Sequence, residues 1–219
     1  MKQATALAAD IGASPGAFAL HAIEAAAKGL AVVPVVGKKT QVKAYHMWRN
    51  PPSTGPIYKW ASDFPAADLG IVTGPLSGVT VVDLDKRDQL EAAEKHFGKT
   101  PLVSQTTNGW HLFYRHNGEG CPRLSDPFIG DLKGKNGIIV IPPSPGKTFY
   151  RGSWADLPNL TVMLTPVAQA SPADMAQRGE RNNSVFRQGQ LLASICDSLG
   201  DLVDELLSFN DDVCIPPLP

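Results

Sequence analysis

Short apolar runs broken by Gly- and Pro-rich stretches follow one another along the chain as far as Pro166. Leu69 to Thr73 and Val79 to Asp85 read as strands on either side of the turn Gly74-Pro75-Leu76-Ser77-Gly78. Val103 to Thr107 and Trp110 to Arg115 form the arms of a hairpin around Asn108-Gly109, a strong short-range hairpin signal. Phe128 to Leu132 and Ile138 to Ile141 continue the series across the turn Lys133 to Gly137. Pro142-Pro143-Ser144-Pro145 then breaks the sheet before Phe149 and Tyr150. Leu30 to Val36 is a buried strand in which Pro34 implies an edge or a bulge.

Helical segments are predicted at five places. Ser14-Pro15 predicts a helix start, Ala17, Leu20, Ile23, Ala26 and Ala27 its apolar face, and Gly29 its end. Asp88 to Phe97 reads as a helix closed by Gly98, with Leu90, Ala93, Glu94 and Phe97 on one face. Between them, Gly37 to Asp63 is basic and Pro-rich, with Trp48 and Trp60 as anchors and one helical turn predicted over Ile57 to Ser62. Beyond Pro166 the texture becomes Ala- and Gln-rich, and helices are predicted over Asn183 to Leu199 and Asp201 to Phe209. A boundary near Pro166 to Ala173 separates a main domain, 1–166, from a helical segment, 167–219. The mixture of elements predicts an α+β class.

Composition adds little to this picture and charge adds more. The 219 residues are 43% hydrophobic and 19% charged, ordinary for a soluble globular protein. No apolar run approaches the roughly 20 residues of a membrane span, and the N-terminus lacks the pattern of a signal peptide. Cys121, Cys196 and Cys214 are scattered, which argues for a reducing, cytoplasmic setting without a disulfide framework. Net charge is only −1, but its signs are segregated. No acid lies between Glu24 and Asp63, where Lys28, Lys38, Lys39, Lys43, Arg49 and Lys59 fall. A second acid-free interval, Lys133 to Ala155, carries Lys133, Lys135, Lys147 and Arg151. A local phosphate-facing surface needs such segregation, and unrelated solvated faces would also produce it.

Candidate chemistry centres on Asp83 and Asp85. Side chains alternate along a strand, so both carboxylates point one way and Leu84 points into a core. Paired like charges are a liability in a strand unless they merely face solvent at its tip or share a cation. Oxygen-only ligands suit Mg²⁺ or Mn²⁺. His111 lies on the second arm of the hairpin, and Asp131 ends a strand before a turn carrying Lys133 and Lys135. Brought together on neighbouring strands, these groups would bind a nucleoside triphosphate: acids for the metal, metal and lysines for the phosphates.

An ordered set of motifs carries a resemblance. Gly37-Lys38-Lys39, Lys43, Trp48 and Trp60 lead into Asp68 to Gly74, Ser77-Gly78 and the Asp83/Asp85 pair. Thr106 to His111, Asp131 to Gly134 and Ile138 to Ser144 follow. Over roughly Leu20 to Pro166 the chain resembles the bifunctional DNA primase/polymerase (prim-pol) domain of the archaeo-eukaryotic primase superfamily, common on plasmids, phages and other mobile elements. The resemblance implies an RRM-like catalytic β-sheet beside an N-terminal α/β unit. It implies Asp83, Asp85 and Asp131 as catalytic metal ligands for Mg²⁺ or Mn²⁺, and His111 as a catalytic residue contacting the nucleotide. Lys133, Lys135 and Ser144 would join His111 in binding NTP or dNTP, while Lys38, Lys39, Lys43 and Arg49 would track a single-stranded DNA template. A helicase, from a longer protein or in trans, would be a further partner.

Departures from the family pattern matter. The position two before His111, often small and polar, is Gly109, and Thr40 stands where Pro is common. Cys121, His111 and His116 lack structural-zinc spacing, so no structural zinc is expected. Gly146-Lys147-Thr148 is not a phosphate loop, because position 141 is Ile. Arg178 to Asn183 resembles the helical region that follows the domain in relatives. Two other readings share these residues: a single-stranded-DNA-binding replication-initiator module with a degenerate nucleotide pocket, and a metal-dependent nuclease.

Overall fold

The structure, a computed structural model, describes residues 14–164 and 199–213. The chain divides into two compact units, Met1–Val167 and Ala168–Pro219. Two antiparallel sheets form the framework of the first. One holds β1 (Val32–Val36), β2 (Lys39–Thr40), β3 (Asp68–Val72) and β8 (Ile138–Val140), in the order β2-β1-β3-β8. The other holds β4 (Val79–Leu84), β5 (Val103–Gln105), β6 (Trp110–Arg115), β7 (Gly130–Lys133) and β9 (Thr148–Arg151), in the order β7-β4-β6-β5-β9. Helices α1 (Ala17–Ala27) and α2 (Thr54–Asp63) belong with the first sheet, and α3 (Leu90–Phe97) connects β4 to β5.

The α+β class is as the sequence predicts. The order β7-β4-β6-β5, with α3 between β4 and β5, is the split β-α-β arrangement of an RRM-like sheet. The loop from His116 to Ile129 replaces a second helix there, and β9 extends the far edge.

Both faces of the five-stranded sheet are covered, which explains why β4 is almost wholly apolar. Val82, Leu84, Val103, Leu112 and Leu132 pack with Ala93 and Phe97 of α3 on one face. Val79, Val81 and Phe113 face the other way, against Leu69, Ile71, Ile139, Ile141 and the small residues of α1. The back of the four-stranded sheet, Val33, Val35 and Val72, is covered by Val42, Tyr45 and Trp48.

Several local expectations are corrected. Helix α1 begins at Ala17 with Gly16 as its cap, not at Ser14-Pro15. A side chain on Gly16 would meet the Ala66 carbonyl carbon at 2.5 Å, so close docking on the 65–67 segment sets the start. Its buried stripe is Ala17, Phe18, Ala22 and Ala25, and Leu20 is exposed. Alanines are small enough to pack on any face, so in an Ala-rich helix they do not fix the phase. Helix α2 is ten residues, longer than the predicted turn. Asn108-Gly109 does not form a two-residue turn: neither residue has positive φ, and the loop runs from Thr106 to Gly109, closed by the Thr106 N–H donating to the Gly109 carbonyl at 3.0 Å. Pro34 is interior to β1: its carbonyl accepts the Gln41 N–H at 3.0 Å, but it has no N–H to return the bond, and the β2 pairing stops at Val35 and Val36.

In the second unit, α4 spans Leu199–Val213 and contains the helix predicted over Asp201 to Phe209. The predicted 166–173 boundary, Arg178 to Asn183 and the Asn183 helix lie outside the described residues, except for Leu199. Among those described, no helix is long and apolar enough to cross a membrane.

Candidate active site

One register position runs across all five strands of the larger sheet. Asp131 of β7 pairs with Asp83 of β4, Asp83 with His111 of β6, His111 with Ser104 of β5, and Ser104 with Phe149 of β9. Partners in an antiparallel ladder share a face, so these side chains form a transverse row. It occupies the face that packs on the smaller sheet. Along β4 that face passes from buried Val79 and Val81 to half-buried Asp83 and exposed Asp85. The two sheets therefore enclose an apolar core, and burial along this face of β4 falls away at Asp83.

Within the row the carboxylates and one ring nitrogen are engaged. The His111 ring is buried, and its Nε2–H donates to Asp83 Oδ1 at 3.2 Å. Lys133 Nζ donates to Asp131 Oδ2 at 2.9 Å, because residues two apart on β7 share a face. Arg123 Nε lies 3.9 Å from Asp131 Oδ1. His111 Nδ1 and Ser104 Oγ are both buried and have no hydrogen-bond partner among the described residues.

The loop from β8 to β9 brings to this row a cation that sequence reasoning passed over. Half-buried Lys147 acts electrostatically on Asp83, His111 and Asp68. Burial pushes its ammonium below the usual range, against the pull of Asp83 and Asp68. Burial alone would raise the Asp83 carboxyl, but the hydrogen bond from His111 and the charges of His111, Lys133 and Lys147 hold it below its ordinary value. Burial depresses the His111 ring despite Asp83, and the two lysines depress it further. The pair is thus a carboxylate against a neutral imidazole. Asp68, the first residue of β3, is raised by burial and partly restored by Lys147.

Not every expected residue joins this group. Ser144 is buried, and its hydroxyl accepts the Leu69 N–H at 2.9 Å, which ties the Pro142–Pro145 turn to β3. Strand geometry ends at Lys133, so Lys135 does not continue its face. Lys135 lies in the turn joining β7 to β8, where its N–H donates to the Glu119 carbonyl at 2.7 Å. That turn is at the Val79 end of β4, away from Asp83. Lys38, Lys39, Lys43 and Arg49 are all exposed, around a stacked Trp48–Trp60 pair whose ring centroids are 5.8 Å apart. Lys147 had a signal, since it falls in the acid-free interval from Lys133 to Ala155. Ser104 had none, because only strand register brings it to His111.

The family model for the bifunctional DNA primase/polymerase, N-terminal domain matches residues 22–173. The chain belongs to this family. No curated protein matches it. Prim-pol domains generally use divalent metals, and the donor set here fits a hard cation by chemistry: carboxylates on one sheet face, half-buried to exposed. As they stand, no three or more His, Cys, Asp or Glu side chains among the described residues converge to hold an ion. Protein donors occupy the carboxylates instead, the Lys133 ammonium on Asp131 and the neutral His111 N–H on Asp83.

Proposed function

We propose that this prim-pol domain is a template-dependent primase-polymerase that makes and extends primers on single-stranded DNA by nucleotidyl transfer. The observation that carries the reading is the row Asp131–Asp83–His111 on one sheet face, with Lys133 and Lys147 beside it. Asp83, Asp85 and Asp131 would hold Mg²⁺ or Mn²⁺. When bound, such ions lower the pKa of the attacking 3′-hydroxyl and stabilise the pyrophosphate that leaves.

The remaining work falls to the chain. Lys133 and Lys147 attract the triphosphate to the row, and a phosphate there gives Lys133 an alternative to Asp131, freeing that carboxylate. His111 holds Asp83 ionised and in a fixed orientation through its Nε2–H. The neighbouring sheet excludes water from one side of the row, which strengthens each of these interactions. Lys38, Lys39, Lys43 and Arg49 follow the template phosphates, and the Trp48–Trp60 stack offers an aromatic surface for an unpaired base.

The test is incubation with labelled nucleotides, Mg²⁺ or Mn²⁺ and a circular single-stranded DNA, with products sized on a gel. Labelled strands longer than a dinucleotide are expected. Retention of DNA without incorporation would favour the replication-initiator reading. Release of nucleotides from the DNA would favour the nuclease.

A further inference from the structure

Two buried polar atoms without hydrogen-bond partners among the described residues, His111 Nδ1 and Ser104 Oγ, belong to residues paired in the strand register. A buried polar group left unsatisfied is costly, so native proteins avoid it unless something uses it. Here the protonation of the ring follows from its other nitrogen. Nε2 faces a carboxylate oxygen at 3.2 Å and must carry the proton. In a neutral ring Nδ1 is then an acceptor, and it requires a donor. The side chain at the paired position on β5 is Ser104, whose hydroxyl is a rotatable donor with nothing else to bond. Other buried hydroxyls near these strands are committed: Thr100 donates to the Phe113 carbonyl, and Tyr114 to the Gly98 carbonyl at 2.6 Å.

We propose that Ser104 is a positioning residue for the transfer reaction. Its O–H donates to His111 Nδ1, directly after a rotamer turn or through one enclosed water, and fixes the tautomer whose Nε2–H holds Asp83. Three strands thereby carry one polarised chain, Ser104 to His111 to Asp83. Gly109 provides no hydroxyl beside His111, and a side chain there is excluded by the Leu84 carbonyl oxygen, 1.8 Å from where a Cβ would lie. Ser104 supplies the hydroxyl from the neighbouring strand. The consequence for catalysis rests on the function proposed above; the hydrogen bond itself does not.

The test compares Ser104→Thr with Ser104→Val, which share a shape and differ in the hydroxyl, alongside Ser104→Ala. In metal-free protein labelled with ¹⁵N-histidine, wild type and the Thr variant are expected to show His111 in one tautomer with Nδ1 shifted as a hydrogen-bonded acceptor. The Val and Ala variants lose that shift. Incorporation should fall about 10-fold in kcat for Val and Ala with the nucleotide KM nearly unchanged, the scale of a residue supporting a metal ligand, and Thr should restore it. Identical His111 signals in Thr and Val, or Val-like signals in Thr, would overturn the proposal. If wild type incorporates nothing, the functional reading fails, and the NMR comparison still decides the role of Ser104.

Discussion

His111 and Asp83 respond to acid in two successive windows, and the signs follow from their environments. Burial lowers the folded pKa of His111 below 6.5, and likewise that of His116. Between the folded values and 6.5 the unfolded chain binds protons that the native chain does not, so stability falls as pH drops through this window. Asp83 is held below its ordinary 3.8, so its contribution is present above that value and is lost as pH falls through the lower, folded pKa. In chelator-treated protein, thermal melts across pH should show a first loss below about 6.5. His111→Gln should weaken that loss but not abolish it, because His116 remains; an unchanged slope would contradict the assignment. Gly109 is the other residue with a sharp expectation. A Cβ would lie 1.8 Å from the Leu84 carbonyl oxygen, so Gly109→Ala should destabilise by about 2 kcal/mol or more in urea unfolding. The carboxylates and His111 were legible in sequence because Asp in an apolar run and a repeated motif order are visible in one dimension. Ser104 and Lys147 were not singled out, since register and a loop crossing between sheets bring them to the site.

At the level of elements, β4 sets the design. Its two faces pack on different layers, and the face bearing Asp83 emerges from the core only at its last residues. Strand and helix positions along β4, α3 and β6 were readable from periodicity and from Gly98. The allocation of strands to sheets was not. β7 and β8 follow each other across a short turn yet belong to different sheets, an outcome decided by packing rather than by local preference. The β9 edge is fastened to α3 by Arg151, whose guanidinium donates to both carboxylate oxygens of Glu94 and to the Thr100 carbonyl. Glu94→Gln leaves the partly buried guanidinium without its counter-charge. It should lower unfolding free energy by about 1–3 kcal/mol, measured by denaturant melts. Incorporation per folded molecule should change little, because neither residue lies in the row.

Across the first unit, the proposed function assigns the holding of a polyanion to the exposed Lys38, Lys39, Lys43 and Arg49 and the reaction to the row of the larger sheet. Charge segregation motivates this assignment in sequence, although the net charge is only −1. Replacing Lys38, Lys39, Lys43 and Arg49 by Ala should weaken single-stranded DNA binding. The slope of log affinity against log salt should shrink by about 0.7 for each phosphate that the variant no longer neutralises. An unchanged slope would place the template elsewhere. Whether the Asp83 row performs nucleotidyl transfer is decided most directly by single-turnover incorporation on a primed single-stranded template with Mn²⁺, comparing wild type and Asp83→Asn. Template-dependent extension by wild type is expected, with a loss of at least about 100-fold in the variant, corresponding to several kcal/mol of transition-state stabilisation, and with matching circular dichroism. Equal rates for the two proteins would contradict a catalytic role for the row.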